Sequence, residues 1–147
     1  MAGRHFRAGV VIVVRRDDGR VMAFERVDMP DQWQLPQGGL ERDERPVAAA
    51  WRELAEETGM GPADVALVGE HPEWTVYEWP ADVVRGDARL GQAHRWFFFR
   101  PLREDIEPSP DGREFGAWKW VEPGWLIEQV VEFRREPYQR VLGVGDG

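Results

Sequence analysis

GGLERDERPVAAAWRELAEETGM, residues 38–60, is the stretch on which the fold turns. Its second half reads as a helix. Pro46 suits a first helical turn, where the missing N–H would have had no partner anyway. Gly59 suits the C-terminal stop. Between them Val47, Ala50, Trp51 and Leu54 recur at i, i+3, i+4 and i+7, one apolar stripe for burial. Glu53, Glu56 and Glu57 recur at i, i+3 and i+4, and at ~100° per residue they share a face about 100° wide. Like charges so placed cost a helix about a few tenths of a kcal/mol per pair. A solvated acidic face is the ordinary explanation for such a trio. The neighbouring residues point elsewhere. Gly38-Gly39 lets the backbone approach a ligand closely, and Arg52 can pair with one of the carboxylates and orient it. Gathered carboxylate oxygens suit a hard divalent cation, Mg²⁺ or Mn²⁺.

The rest of the chain supplies a sheet. Residues 6–14, FRAGVVIVV, are β-branched and apolar, as in a buried strand. Asp17-Asp18-Gly19 is a turn signal before a second strand at 21–24, which predicts a hairpin. Residues 27–32 read as loop. WQLPQGG, residues 33–39, carries a proline and paired glycines that argue against regular structure. Further strands are expected at 65–68, 74–79, 95–100 and 114–121, with a polar loop at 85–92. Leu126, Val130, Val131 and Phe133 suggest a closing helix after Pro123, which Pro137 bends or restarts. Strands before, between and after helices indicate an α/β fold with a mixed sheet and helices on its faces.

Bulk properties exclude several classes. A length of 147 residues fits one domain, and 42% hydrophobic with 31% charged residues is an ordinary globular balance. Residues 143–147 are the one stretch expected to be disordered. No apolar run reaches the roughly 20 residues that span a bilayer, and residues 1–7 lack the apolar stretch of a secretory signal, so no membrane partner and a cytoplasmic location are expected. With no cysteine, disulfides and thiolate metal sites are out. A net charge of −8 repels polyanions at long range; either the partner is no polyanion, or a divalent cation bridges it. DNA is not expected. Lys119 is the sole lysine. That arginine bias suits bidentate phosphate contacts, although genomic base composition produces the same bias.

The residues at 38–60 also match a family pattern. Gly38, Glu44, Arg52, Glu53, Leu54, Glu56, Glu57, Gly59 and Met60 occupy every fixed position of G-x5-E-x7-R-E-U-x-E-E-x-G-U, with U apolar. This long pattern is the Nudix box, and by it the chain resembles the Nudix hydrolases. The resemblance implies a single α/β/α sandwich over 1–147, with a loop–helix–loop metal site. It implies divalent ions held by Glu53, Glu56 and Glu57 with the Gly38 carbonyl, and Glu44 supporting the loop through Arg52. Asp43 departs from the glycine many members carry before that glutamate.

The likeness extends beyond the box. WQLPQGG is similar to the loop of bacterial RNA 5′ pyrophosphohydrolases, which overlap with dinucleoside polyphosphate hydrolases. FRAGVVIV (6–13), GQAHRWFFF (91–99), EFGAWKWV (114–121) and EQVVEFRREPYQRV (128–141) resemble further segments of that group. It implies that Glu114 binds metal or serves as base, that Arg7 and Arg26 hold substrate phosphates, and that Gln37 and Gln92 face the site. Phe133 and Arg134 match an aromatic–basic pair on which a first base can stack. Bland alternatives stand beside these: core packing for Phe133, strand-end surface charge for Arg7 and Arg26, a surface carboxylate for Glu114. His94 reads as a strand residue rather than a catalyst. Three departures speak against a long RNA: Ala8-Gly9 in place of Pro-Asn, a less basic loop at 82–89, and the overall acidity.

The implied chemistry is in-line attack of water on a phosphorus, with Glu57, Glu53 and Glu114 as the catalytic carboxylates and Glu57 or Glu114 as base. The expected substrate is a nucleoside 5′-polyphosphate, foremost a 5′-triphosphorylated RNA end, and the expected state is a monomer or small homo-oligomer. The rivals are a dinucleoside polyphosphate, a nucleoside diphosphate sugar or an oxidised nucleoside triphosphate as substrate, a non-catalytic nucleotide sensor, and a scaffold presenting some of its eight tryptophans.

Overall fold

A computed structural model describes residues 5–80 and 89–143. The expected disorder over 143–147 and the loop over 82–89 therefore lie mostly outside the described residues. Strand β1 (His5–Val14) runs parallel to β7 (Arg89–Pro101) and antiparallel to β4 (Gln37–Gly39). Strands β5 (Val65–Glu70) and β6 (Thr75–Glu78) pair antiparallel with the two halves of β7, which completes a five-stranded mixed sheet. A second, antiparallel sheet has the order β3 (Trp33–Gln34), β2 (Val21–Arg26), β8 (Phe115–Val121).

Side chains alternate across a strand, and the alternation builds two cores. Val10, Ile12 and Val14 of β1 join Met22 and Phe24 of β2 and Ala49, Ala50 and Leu54 of helix α1 (Pro46–Thr58). Val11 and Val13, on the opposite face, join Val21, Ala23 and Trp96 with residues of helices α2 (Pro123–Gln129) and α3 (Glu132–Leu142). One helix covers one face and two cover the other, the α/β/α sandwich expected from the sequence. Among the described residues no helix is long and apolar enough to cross a membrane.

Four local readings need correction. The expected hairpin is only its turn: the antiparallel bridge Arg15–Val21 and the Arg16 amide on the Arg20 carbonyl at 2.9 Å close the reversal, but β1 and β2 then enter different sheets. Residues 33–39 are not irregular. They hold β3 and β4, and Pro36, which has no N–H to give a ladder, falls between the two strands and offers its carbonyl to the Ile12 amide at 3.0 Å. Residues 89–92 are strand rather than loop, because partners on both sides, β1 and β6, take up their backbone groups. The break in the C-terminal helix comes at Val130 and Val131, both in extended backbone, and α3 runs on through Pro137. Gly59 does end α1, at φ 72° with its N–H on the Ala55 carbonyl at 3.0 Å.

Candidate active site

Strand β4 brings two glycines between two charged groups. A Cβ on Gly38 would land on the carboxyl group of Glu53, and a Cβ on Gly39 would land on the guanidinium of Arg7. Consecutive residues of a strand face opposite ways, so the Gly-Gly pair admits a carboxylate on one side and a guanidinium on the other. This is a steric reason for both glycines.

Arg52, on α1, organises the loop before the helix. Its Nε and Nη2 donate to the two oxygens of Glu44, each at 2.8 Å, and Nη2 also donates to the Gly39 carbonyl at 2.9 Å. Its Nη1 donates to Glu53 at 2.7 Å and to Glu56 at 3.3 Å. The Arg52 guanidinium, aided by the Glu41 amide, holds the Glu44 carboxyl far below its ordinary range, at about 2. Asp43 sits at φ 61°, a left-handed backbone that glycine adopts freely and aspartate tolerates. That explains how the loop survives the departure from glycine.

Two of the three carboxylates of α1 are withdrawn from solvent. Glu53 and Glu57 are 8% and 4% exposed, while Glu56 is exposed. Burial raises the pKa of Glu53, against the pull of Arg52. Burial also drives Glu57 strongly upward, joined by a hydrogen bond to Glu114 and by the charges of Glu114, Glu53 and Asp111. Glu57 Oε2 is buried and has no hydrogen-bond partner. A divalent cation would satisfy such an oxygen and relieve the crowding of charge, so the donor set fits one. Among the described residues, no three acids or imidazoles converge as a completed ion cage: Glu53 and Glu56 turn toward Arg52, and Glu57 lies close to Glu114.

Glu114 precedes β8 and is carried by a shaped turn. Asp111 Oδ1 accepts from the amides of Arg113, Glu114 and Phe115 at 3.0, 3.0 and 3.1 Å. The Glu114 carbonyl accepts from the Val27 amide at 3.0 Å, next to Arg26. Arg26 itself is held by Asp28 through contacts of 2.9 and 2.8 Å.

A second group lies on the α3 side of the mixed sheet. Arg7 is paired in register with Gln92, whose Oε1 accepts from Gln37 Nε2 at 3.5 Å, and Gln92 pairs on its other side with Tyr77. Phe133 is half-buried, its ring 5.4 Å from that of Tyr77, and belongs to neither core cluster. Arg134 lies 5.7 Å from the Phe133 ring and donates through Nη1 to Gln34 at 2.9 Å. The Tyr77 hydroxyl and Arg134 Nε are buried without partners. His94 is a buried strand residue beneath them; burial first, then the charges of Arg134 and Arg7, pushes it down to about 3, so it is neutral at physiological pH.

The NUDIX domain pattern matches residues 5–141. The chain belongs to the Nudix family. Among curated Nudix relatives, the RNA pyrophosphohydrolase of Halorhodospira halophila is 41% identical over 142 residues, 93% of this chain and 78% of that protein. That of Zymomonas mobilis is 41% identical over 148 residues, 97% of this chain and 96% of the relative. Two solved structures share the Nudix fold. The E. coli dihydroneopterin triphosphate pyrophosphohydrolase superposes with a TM-score of 0.72 at 21% identity, covering 93% of this chain and 97% of its own. A C. elegans Ap4A hydrolase binary complex gives 0.68 at 18%, covering 91% and 93%.

The sequence reading did not single out Gln34, Tyr77 or Asp111. Asp111-Gly112 is a turn dipeptide three residues before Glu114, which was a usable signal. For Gln34 and Tyr77 no local signal existed, since their importance comes from strand pairing and from α3.

Proposed function

We propose that this Nudix pyrophosphohydrolase removes pyrophosphate from 5′-triphosphorylated RNA, as one domain acting in the cytoplasm with Mg²⁺ or Mn²⁺. The reading rests chiefly on the buried, unpartnered Glu57 Oε2 beside Glu114. The names carried by relatives at 41% identity supply the substrate. DNA and membranes have no part in it, and the enzyme works as a monomer or small homo-oligomer.

Glu53, Glu56, Glu57 and Glu114, with the Gly38 carbonyl, would hold the divalent ions. When bound, these supply neutralisation of the phosphoryl oxygens and acidification of water. The protein's own part is positioning and proton transfer. Arg52 fixes the α1 carboxylates and the Gly39 backbone in one rigid unit. Arg7, admitted by Gly39, grips one end of the polyphosphate, and Arg26 exchanges Asp28 for a phosphate at the other. Glu57 or Glu114 accepts the proton of the attacking water at a carboxylate oxygen. Phe133, Tyr77 and Arg134 receive the first base, with Gln34 holding Arg134, while Gln37 and Gln92 line the approach. Alignment and preorganised charge then provide most of the rate.

The net charge of −8 favours a second reading, a dinucleoside polyphosphate substrate, since long RNA gains little from an acidic surface. A panel assay with Mg²⁺ separates the two. Pyrophosphate released from triphosphorylated RNA, with slow turnover of diadenosine tetraphosphate, supports the first; ATP formed from diadenosine tetraphosphate as the dominant reaction overturns it. Glu57→Gln lowers turnover by orders of magnitude on either substrate, and wild-type rates in that variant would remove the carboxylate site altogether.

A further inference from the structure

Helix α1 places Glu57 at its last turn, but Glu57 and Glu114 are 57 positions apart and must be brought together by the segment before β8. That segment is tied to the helix at one end. The Ser109 amide donates to the Thr58 carbonyl at 2.7 Å, one residue from Glu57, and Gly59 lies against the Ser109 side chain. It is tied to the other sheet at its far end, where the Glu114 carbonyl accepts from Val27 and Phe115 enters the core. Between these anchors the chain must reverse within a few residues. Asp111 makes the reversal: one carboxylate oxygen takes three successive amides, those of Arg113, Glu114 and Phe115. Gly112 supplies the left-handed step at φ 75°, and its own amide donates to the Phe115 carbonyl at 2.9 Å.

We infer that Asp111 is a positioning residue for the reaction: through the three amides it fixes the turn that presents Glu114 to Glu57, and so sets the geometry in which these two carboxylates share a cation. Arg113 and Glu114 are exposed. Without the Asp111 oxygen their amides would turn to water, and Glu114 would be free to swing away from α1. The same oxygen explains why Asp111, an acid beside two others, sits where its charge adds to the crowding around Glu57. Asp111 is itself exposed, and its Oδ1 is committed to the three N–H groups. A neutral acceptor of the same shape would serve the turn equally well.

This inference rests on the proposed function, and its test separates the role of Asp111 from the choice of substrate. Mn²⁺ affinity is measured by titration calorimetry, amide hydrogen exchange over 113–115 is followed in the metal-free protein, and kcat and KM are measured on triphosphorylated RNA. Asp111→Ala is expected to speed exchange at those amides, to weaken Mn²⁺ binding about 10–100-fold, and to lower kcat with little change in KM. Asp111→Asn, whose side-chain oxygen accepts the same three bonds, stays near wild type, and Asp111→Ser, a shorter acceptor, falls between. If Asp111→Ala does not fold, the order Asn above Ser still decides the matter. Unchanged Mn²⁺ affinity in Asp111→Ala overturns the inference, as does an Asn variant as impaired as Ala, because the charge and not the turn would then be responsible. If the expected order appears in Mn²⁺ binding while wild type leaves triphosphorylated RNA untouched, the substrate reading falls and the role of Asp111 stands.

Discussion

Replacing Glu44 by glutamine tests whether the loop before α1 is held by charge. Glu44 meets Arg52 through two contacts of 2.8 Å, and the side chains are 13% and 22% exposed. A carboxyl that titrates at 4.5 when unfolded and at about 2 in the fold stabilises the fold at neutral pH by roughly 3 kcal/mol. Residual contact with water screens the pair, so about 2 kcal/mol is the expected loss in Glu44→Gln. For a domain of this length that corresponds to a melting point lower by roughly 4–8 °C. The loss depends on pH with a definite sign. The folded-state pKa is depressed, so the stabilisation is present above about pH 4.5 and drains away as pH falls through about 2. By pH 3 less than half of it remains. Urea denaturation of both metal-free proteins at pH 7 and pH 3 measures the gap. A gap of equal size at the two pH values, or one under about 0.5 kcal/mol at pH 7, would refute the reasoning.

Gly38→Ala drives a methyl group into the Glu53 carboxyl, so Mn²⁺ affinity and kcat should each fall about 10–100-fold while circular dichroism shows the fold retained; full activity would mean that Glu53 can move aside freely. Burial and Glu114 raise the pKa of Glu57, so the metal-free fold carries a proton that the unfolded chain has lost above about pH 4.5. Its stability should therefore decline as pH climbs toward the folded-state value, and Mn²⁺ uptake should release a proton, seen as binding heat that varies with the buffer's ionisation enthalpy. Buffer-independent heat would count against that. His94 is already neutral across pH 5–8, so His94→Gln should leave the shape of the kcat profile over that range unchanged; loss of a titration near neutrality would show that the imidazole is charged in the wild-type enzyme.

Helix α1 was legible because everything that defines it is local: a proline at its start, a glycine at its end, an apolar stripe at helical spacing. The same holds for β1, whose apolar run is long enough to be buried on both faces. The readings that failed lacked local cause. Nothing within residues 33–39 announces strand pairing; Gly38 and Gly39 become β4 because β1 offers an open edge. Likewise residues 89–92 look polar and loop-like, yet β1 and β6 hold them as strand. Pro137 looked like the helix breaker, but the break falls where Val130 and Val131 take extended backbone.

The candidate site divides along the same line. Spacing alone puts Glu53, Glu56 and Glu57 on one face, yet only the fold reveals that two of them are buried. A buried carboxylate needs a counter-charge, and the guanidinium on the same helix is already taken up: Arg52 serves Glu44, Glu53 and Glu56 together. Glu57 and Glu114 are left to each other, with Asp111 adding a further negative charge nearby. Such a pair can stay folded in two ways, by keeping a proton or by accepting a cation. In the metal-free fold Glu57 keeps the proton, yet its buried Oε2 still has no partner. A divalent ion in place of the proton would satisfy that oxygen and relieve the repulsion in one step, so the unpartnered oxygen at Glu57 is the feature that would favour the ion under the proposed function.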